Sequence, residues 1–86
     1  MLIIDLETLF GKSKTRILSL LFNERELHTR EIIRRVGTGH GAVQRQLSIL
    51  TESNILLKRD GVQVYYQANT RSPVYPELLS IFKQKN

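Results

Sequence analysis

The chain has 86 residues, 41% hydrophobic and 24% charged, with no cysteine. That length supports one small core and no second domain; the composition excludes a disordered chain, and the lack of cysteine excludes disulfides and thiolate metal sites and fits a reducing cytoplasm. Thirteen Lys and Arg against eight Asp and Glu leave a net charge of +5, which favours a polyanionic partner. No apolar run approaches the ~20 residues of a membrane span. The first residues also lack the basic flank of a signal peptide, so no membrane attachment is expected.

In LIIDLETLF, Leu2, Leu6 and Leu9 recur at i, i+4 and i+7, with Ile3 and Phe10 widening the face. This predicts a short helix ended by Gly11; a strand through LII is the alternative for so short an apolar run. So many bulky apolar side chains must pack on the domain or on a second copy of it. SKTRILSLLF then predicts a helix over 13–22. Its Ile17, Leu18, Leu20, Leu21 and Phe22 are apolar nearly all round, as at the centre of a core. Lys12, Lys14 and Arg16 crowd its start against the macrodipole preference, which makes them either phosphate contacts or a solvated cluster.

After the polar connector NEREL, Leu27 and His28 suit a one-ladder strand. Thr29 is expected to N-cap a helix over Arg30–Val36, with Glu31 complementing its first turn. Ile32, Ile33 and Val36 form the inner stripe of that helix, and Arg30, Arg34 and Arg35 its solvent side. Gly37 can take the left-handed conformation that ends a helix. A longer helix follows from about His40 to Ser53. Val43, Leu47 and Leu50 lie on its buried side, Gly41, Gln44, Arg45 and Ser48 on the other. Ile49 falls outside the stripe and calls for a covering neighbour. Asn54 tolerates a left-handed stop. Two helices joined by a short glycine turn have the pattern of a helix-turn-helix.

Leu56–Arg59 and Val62–Gln67 flank Asp60-Gly61, which predicts a hairpin closed by a two-residue type I′ turn. That register sets Arg59 opposite Val62, Lys58 opposite Gln63, Leu57 opposite Val64 and Leu56 opposite Tyr65. The base of the hairpin is then apolar and its tip basic. Tyr65 and Tyr66, near the base, are expected in the core or a dimer seam. Beyond Ser72-Pro73, Pro76 suits the first turn of a last helix. Tyr75, Leu78, Leu79 and Phe82 form its amphipathic face, with Lys83 and Lys85 at its C-terminal end.

Catalysis is not expected. His28 and His40 lie in different elements, and no carboxylate is spaced to work with either. Two histidines do not make a zinc set. GTGHG lacks the Lys-Ser/Thr pair of a phosphate loop. No cofactor or metal is therefore expected.

Helix, helix, glycine turn, longer helix and hairpin is the order of a winged helix-turn-helix, mainly α with a small β-hairpin, hence α+β. The runs LFGKSKTRILSLLF, TREIIRRVGTGHGAVQRQLSIL and NILLKRDGVQVYYQANTRSPVYPELL resemble the small ArsR/MarR-like winged-helix transcriptional regulators over about residues 9–82. The resemblance implies a bacterial or archaeal, cytoplasmic regulator that binds double-stranded DNA as a homodimer. It also implies a recognition helix at about 40–53 in the major groove and a wing at 58–63 on the backbone or minor groove. Residues 1–86 form one domain in this reading, with 1–10 and 73–86 as dimerisation segments.

Carried onto this chain, the base-facing candidates are His40, Gly41, Gln44, Arg45 and Ser48, and the wing candidates Lys58, Arg59 and Gln63. Arg45 can pair bidentately with guanine and Gln44 with adenine, each discriminating by ~1–3 kcal/mol. Thr38 and Gly39 sit where amides at a helix start meet a phosphate. The chain departs from the family at Ile33, where an alanine is usual, at Thr38, where a buried Leu is usual, and at Gly39, where a Ser caps. Small-molecule effectors are not read from these residues. Another reading of the same fold is a protein-protein or RNA interaction module.

Overall fold

The computed structural model describes residues 5–83. In chain order these form α1 (Leu6–Phe10), α2 (Lys12–Leu21), β1 (Leu27–His28), α3 (Thr29–Val36), α4 (His40–Glu52), β2 (Leu56–Arg59), β3 (Tyr65–Ala68) and α5 (Tyr75–Phe82). The three strands make one antiparallel sheet in the order β1-β3-β2, so the described residues are α+β.

The N-terminal helix expected over LIIDLETLF is present from Leu6; its first expected positions, Leu2 and Ile3, lie outside the described residues. Asp5 starts it by accepting the Thr8 amide at 2.8 Å, and that bond holds the Asp5 carboxyl below the usual carboxylate range. Gly11, at φ 89°, closes α1 and opens α2. The Thr15 hydroxyl donates to the Leu6 carbonyl at 3.0 Å, seating the short helix on the long one.

The core contains the residues the helical spacing selects. Ile17, Leu18, Leu21 and Phe22 of the α2 segment meet Ile32 and Val36 of α3 and Val43, Leu47 and Leu50 of α4. Leu56, Tyr66 and Phe82 complete it from β2, β3 and α5. The last helix docks through aromatic contacts: Phe22 stacks on Tyr75 with centroids 5.6 Å apart and also meets Phe82 at 6.2 Å. The Asn23 amide donates to the Phe82 carbonyl at 2.8 Å.

Three details differ from the sequence expectation. Thr29 does not cap α3; it is the first helical residue, behind His28. Both its amide and its hydroxyl donate to the Val64 carbonyl, at 2.9 and 3.0 Å, which fastens α3 to the sheet. Ile49 gains no cover and remains 40% exposed.

The hairpin is the third difference. Its strands pair Leu56 with Ala68, Leu57 with Gln67, Lys58 with Tyr66 and Arg59 with Tyr65, so residues 60–64 form the loop and no two-residue turn occurs at Asp60-Gly61. The physical reason is burial. Leu56 and Tyr66 are 1% and 6% exposed, so both must point to the same side of the sheet. The two-residue turn would send them to opposite faces, because an odd change of register inverts every side chain. The longer loop keeps both inside and lets β3 pair with β1, Leu27 opposite Tyr66 and His28 opposite Tyr65.

Candidate nucleic-acid interface

The α3–α4 connection is set by backbone chirality and by two side chains from α2. Gly37 takes a left-handed conformation, φ 75° and ψ 16°, and its amide donates to the Ile33 carbonyl at 3.1 Å. A side chain would strain that conformation, so glycine is the residue that lets α3 stop there. Arg16 donates to the Val36 carbonyl at 3.1 Å, placing a cation at the negative end of α3. Its Nε also holds Glu7 at 3.1 Å. The hydroxyls of Ser13 and Thr38 lie 2.6 Å apart, tying the turn to the start of α2.

Gly39 precedes α4 at φ 104° and makes no side-chain cap. The first amides of a helix have no intrahelical acceptor, so they remain available to an anion. Val43, Leu47 and Leu50 are all but fully buried. Their anchoring fixes where the rest of α4 points. Gly41, Arg45 and Ser48 are exposed, while Gln44 is half-buried on the flank nearest the sheet.

That flank borders a groove of about 460 Å³ between α3, the start of α4 and the β2–β3 loop, whose walls include Arg30, Ile33, His40, Gln44, Gln63 and Val64. One turn further on, Ser48 and Lys58 share a smaller cleft of about 170 Å³ with Thr51, Glu52 and Tyr66. The expected candidates thus fall into connected groups: His40 and Gln44 with Gln63, Ser48 with Lys58, and Gly41 and Arg45 on the open face between helix and solvent. Thr38 and Gly39 sit at the near end of α4. Ile33 is half-buried against the core and forms a wall of the groove. Arg30 and His28 also line the groove, a position that only the placement of residues 63 and 64 reveals.

The arginines divide by partner. Arg34 pairs with Glu31, whose carboxyl the Arg34 hydrogen bond holds below the usual range. Arg35 pairs with Glu24 at 3.3 Å, Arg16 with Glu7, and Arg59 with Glu26 at 3.0 Å. Among the described residues, Arg25, Arg30, Arg45 and Arg71 make no ion pair. Of these, Arg30 lies exposed beside the groove and Arg45 on the outer face of α4. Lys58 has only a 4.0 Å contact with Asp60.

Among the described residues, no three His, Cys, Asp or Glu side chains cluster to hold a metal ion. No described helix is long and apolar enough to cross a membrane. Compared with known proteins, the chain matches no family model and no curated protein.

Proposed function

We propose that the protein is a cytoplasmic transcriptional regulator that binds double-stranded DNA in a sequence-specific way through a winged helix-turn-helix. In this reading α4 enters the major groove and the β2–β3 loop is the wing, as the resemblance to small ArsR/MarR-like regulators implies. The supporting observation is the presentation of α4. Its apolar side is anchored, its outer side offers Gln44 beside an ion-pair-free Arg45, and Gln63 of the loop faces it across an open groove. Arg can donate to both N7 and O6 of guanine, and Gln can donate to N7 and accept from N6 of adenine, in the major groove. Arg30, Lys58 and the uncapped amides behind Gly39 are placed for phosphates on either side.

Titration of a random-sequence duplex at several salt concentrations tests the class of partner. A DNA binder gives a linear fall of log affinity with log salt, with a slope of about −0.9 per phosphate neutralised. A flat dependence removes the DNA reading. Equal affinity for a folded RNA of the same length supports the RNA-module alternative instead.

We also propose a homodimer. Leu9 and Phe10 of α1 and Ile81 of α5 are 61%, 37% and 45% exposed. The Phe10 and Phe82 rings lie 6.2 Å apart, which puts α1 beside the end of α5. A two-fold pair would set two α4 helices about one DNA turn, ~34 Å, apart. Light scattering at micromolar concentration should give twice the chain mass, and Leu9→Ser with Ile81→Ser should return it to the monomer. A monomeric wild type rejects this surface as a seam.

A further inference from the structure

Arg59 ends β2 at the mouth of the 60–64 loop, and its side chain crosses the outer face of the sheet. Tyr65 of β3 is its cross-strand partner, and the Arg59 guanidinium carbon lies 4.5 Å from the centre of that ring. His28 of β1 is the partner of Tyr65 on the other side and meets the same ring edge-on at 5.9 Å. Glu26 immediately precedes β1. Both of its carboxylate oxygens accept from Arg59, Nε and Nη2 each at 3.0 Å. Arg59 therefore runs from one edge strand, over the central strand, to the chain entering the other edge strand.

We propose that Arg59 is a positioning residue, with Glu26 and Tyr65 as its two anchors, and that this strap fixes the β2–β3 loop beside α4. Arg59 is then not itself a contact to DNA. The proposal rests on the DNA-binding reading for its functional consequence, though not for the strap. The geometry argues for it in three ways. One edge of the planar fork, Nε and Nη2, is matched by one carboxylate, a bidentate arrangement that sets direction as well as distance. The same guanidinium lies over an aromatic ring, a second constraint, and lysine would keep the charge there but lose the fork that grips Glu26. The strap also lies at the last ladder pair before the loop: Thr29 and the core hold Val64 at the far end, while Asp60, Gly61, Val62 and Gln63 are exposed. The Tyr65 hydroxyl reaches the Gln63 side-chain carbonyl at 3.4 Å, passing the constraint to the loop residue that faces Gln44.

A direct phosphate contact makes the opposite prediction. If Arg59 served DNA, Glu26 would compete with phosphate for it, and removing that carboxylate would strengthen binding.

Glu26→Gln and Arg59→Lys separate the two, read by duplex affinity across salt and by amide hydrogen exchange of residues 60–64 in the free protein. The strap predicts that both variants speed exchange in the loop. It also predicts that both weaken duplex binding, by about fivefold, the scale of one well-made exposed pair, with the salt slope unchanged. Tighter binding by Glu26→Gln, with a slope steeper by about 0.9, overturns the proposal and makes Arg59 a phosphate contact. If the wild type binds no duplex, the DNA reading fails, and exchange decides the strap alone: a faster loop sustains it and an unchanged loop removes it.

Discussion

Arg45→Ala is expected to lower affinity for a duplex selected from a random pool by roughly ten- to a hundredfold, the discrimination carried by one bidentate guanine pair. The expectation follows from where α4 holds this residue. Val43, Leu47 and Leu50 are buried to within 2% of complete, which turns Arg45 away from the core. Among the described residues no carboxylate pairs with it, whereas Arg16, Arg34, Arg35 and Arg59 are each held by a glutamate. Its guanidinium can thus be given to a base edge without breaking an internal pair. Its removal should leave folding stability within about 0.5 kcal/mol, as for other exposed side chains away from special features.

Arg45→Lys sharpens the test. Lysine keeps the charge but not the fork, so a base contact predicts that the selected duplex loses most of its advantage over random sequence. A phosphate contact predicts instead that lysine restores binding and that alanine weakens all sequences equally, lowering the salt slope by about 1. Arg34→Ala is the matched control, since Glu31 already holds that guanidinium. If Arg45→Ala and Arg34→Ala behave alike, the outer face of α4 is not the reading surface.

What the amino-acid sequence makes legible is governed by local rules. The apolar spacing of Val43, Leu47 and Leu50 identified the buried side of α4, because helical geometry alone determines which residues share a face. Gly37 and Asn54 marked helix ends because they tolerate left-handed backbone, and they adopt it at φ 75° and 62°. The β2–β3 register was not local. Asp60-Gly61 is a strong hairpin signal by itself, yet the shared burial of Leu56 and Tyr66 overrode it. The candidate surface divided in the same way. Gln44 and Arg45 were legible from their helix face. The grouping of Gln63 with Gln44 and the participation of Arg30 depend on where the loop falls, and hence on that register. Arg59 is the clearest case: a basic residue near a hairpin tip suggests phosphate, but its partners lie across the sheet, at separations of 6 and 33 residues in sequence.

Leu47→Ala should be the most damaging single truncation on α4, costing about 2–5 kcal/mol. Leu47 is 0% exposed and belongs to the cluster that joins α2, α3 and α4 to the sheet. Removing its branch leaves a cavity that these elements can refill only by shifting against one another. For a chain of this size, total stability is on the order of 4–13 kcal/mol, so the loss is a large fraction of the whole. Urea denaturation should show a much lower midpoint with an unchanged slope. Ile49→Ala on the same helix, at a site 40% exposed, should move it far less. The pair also separates folding from recognition. Where Leu47→Ala remains folded, at low temperature and without denaturant, it should bind duplex nearly as well as the wild type, because Gln44 and Arg45 are untouched. Arg45→Ala should fail to bind tightly under the same conditions while remaining as stable as the wild type. A Leu47→Ala protein that is folded but no longer binds would show that α4 is positioned by this core contact more tightly than a folded domain requires. An equal midpoint for Leu47→Ala and Ile49→Ala would contradict the packing of α4 itself.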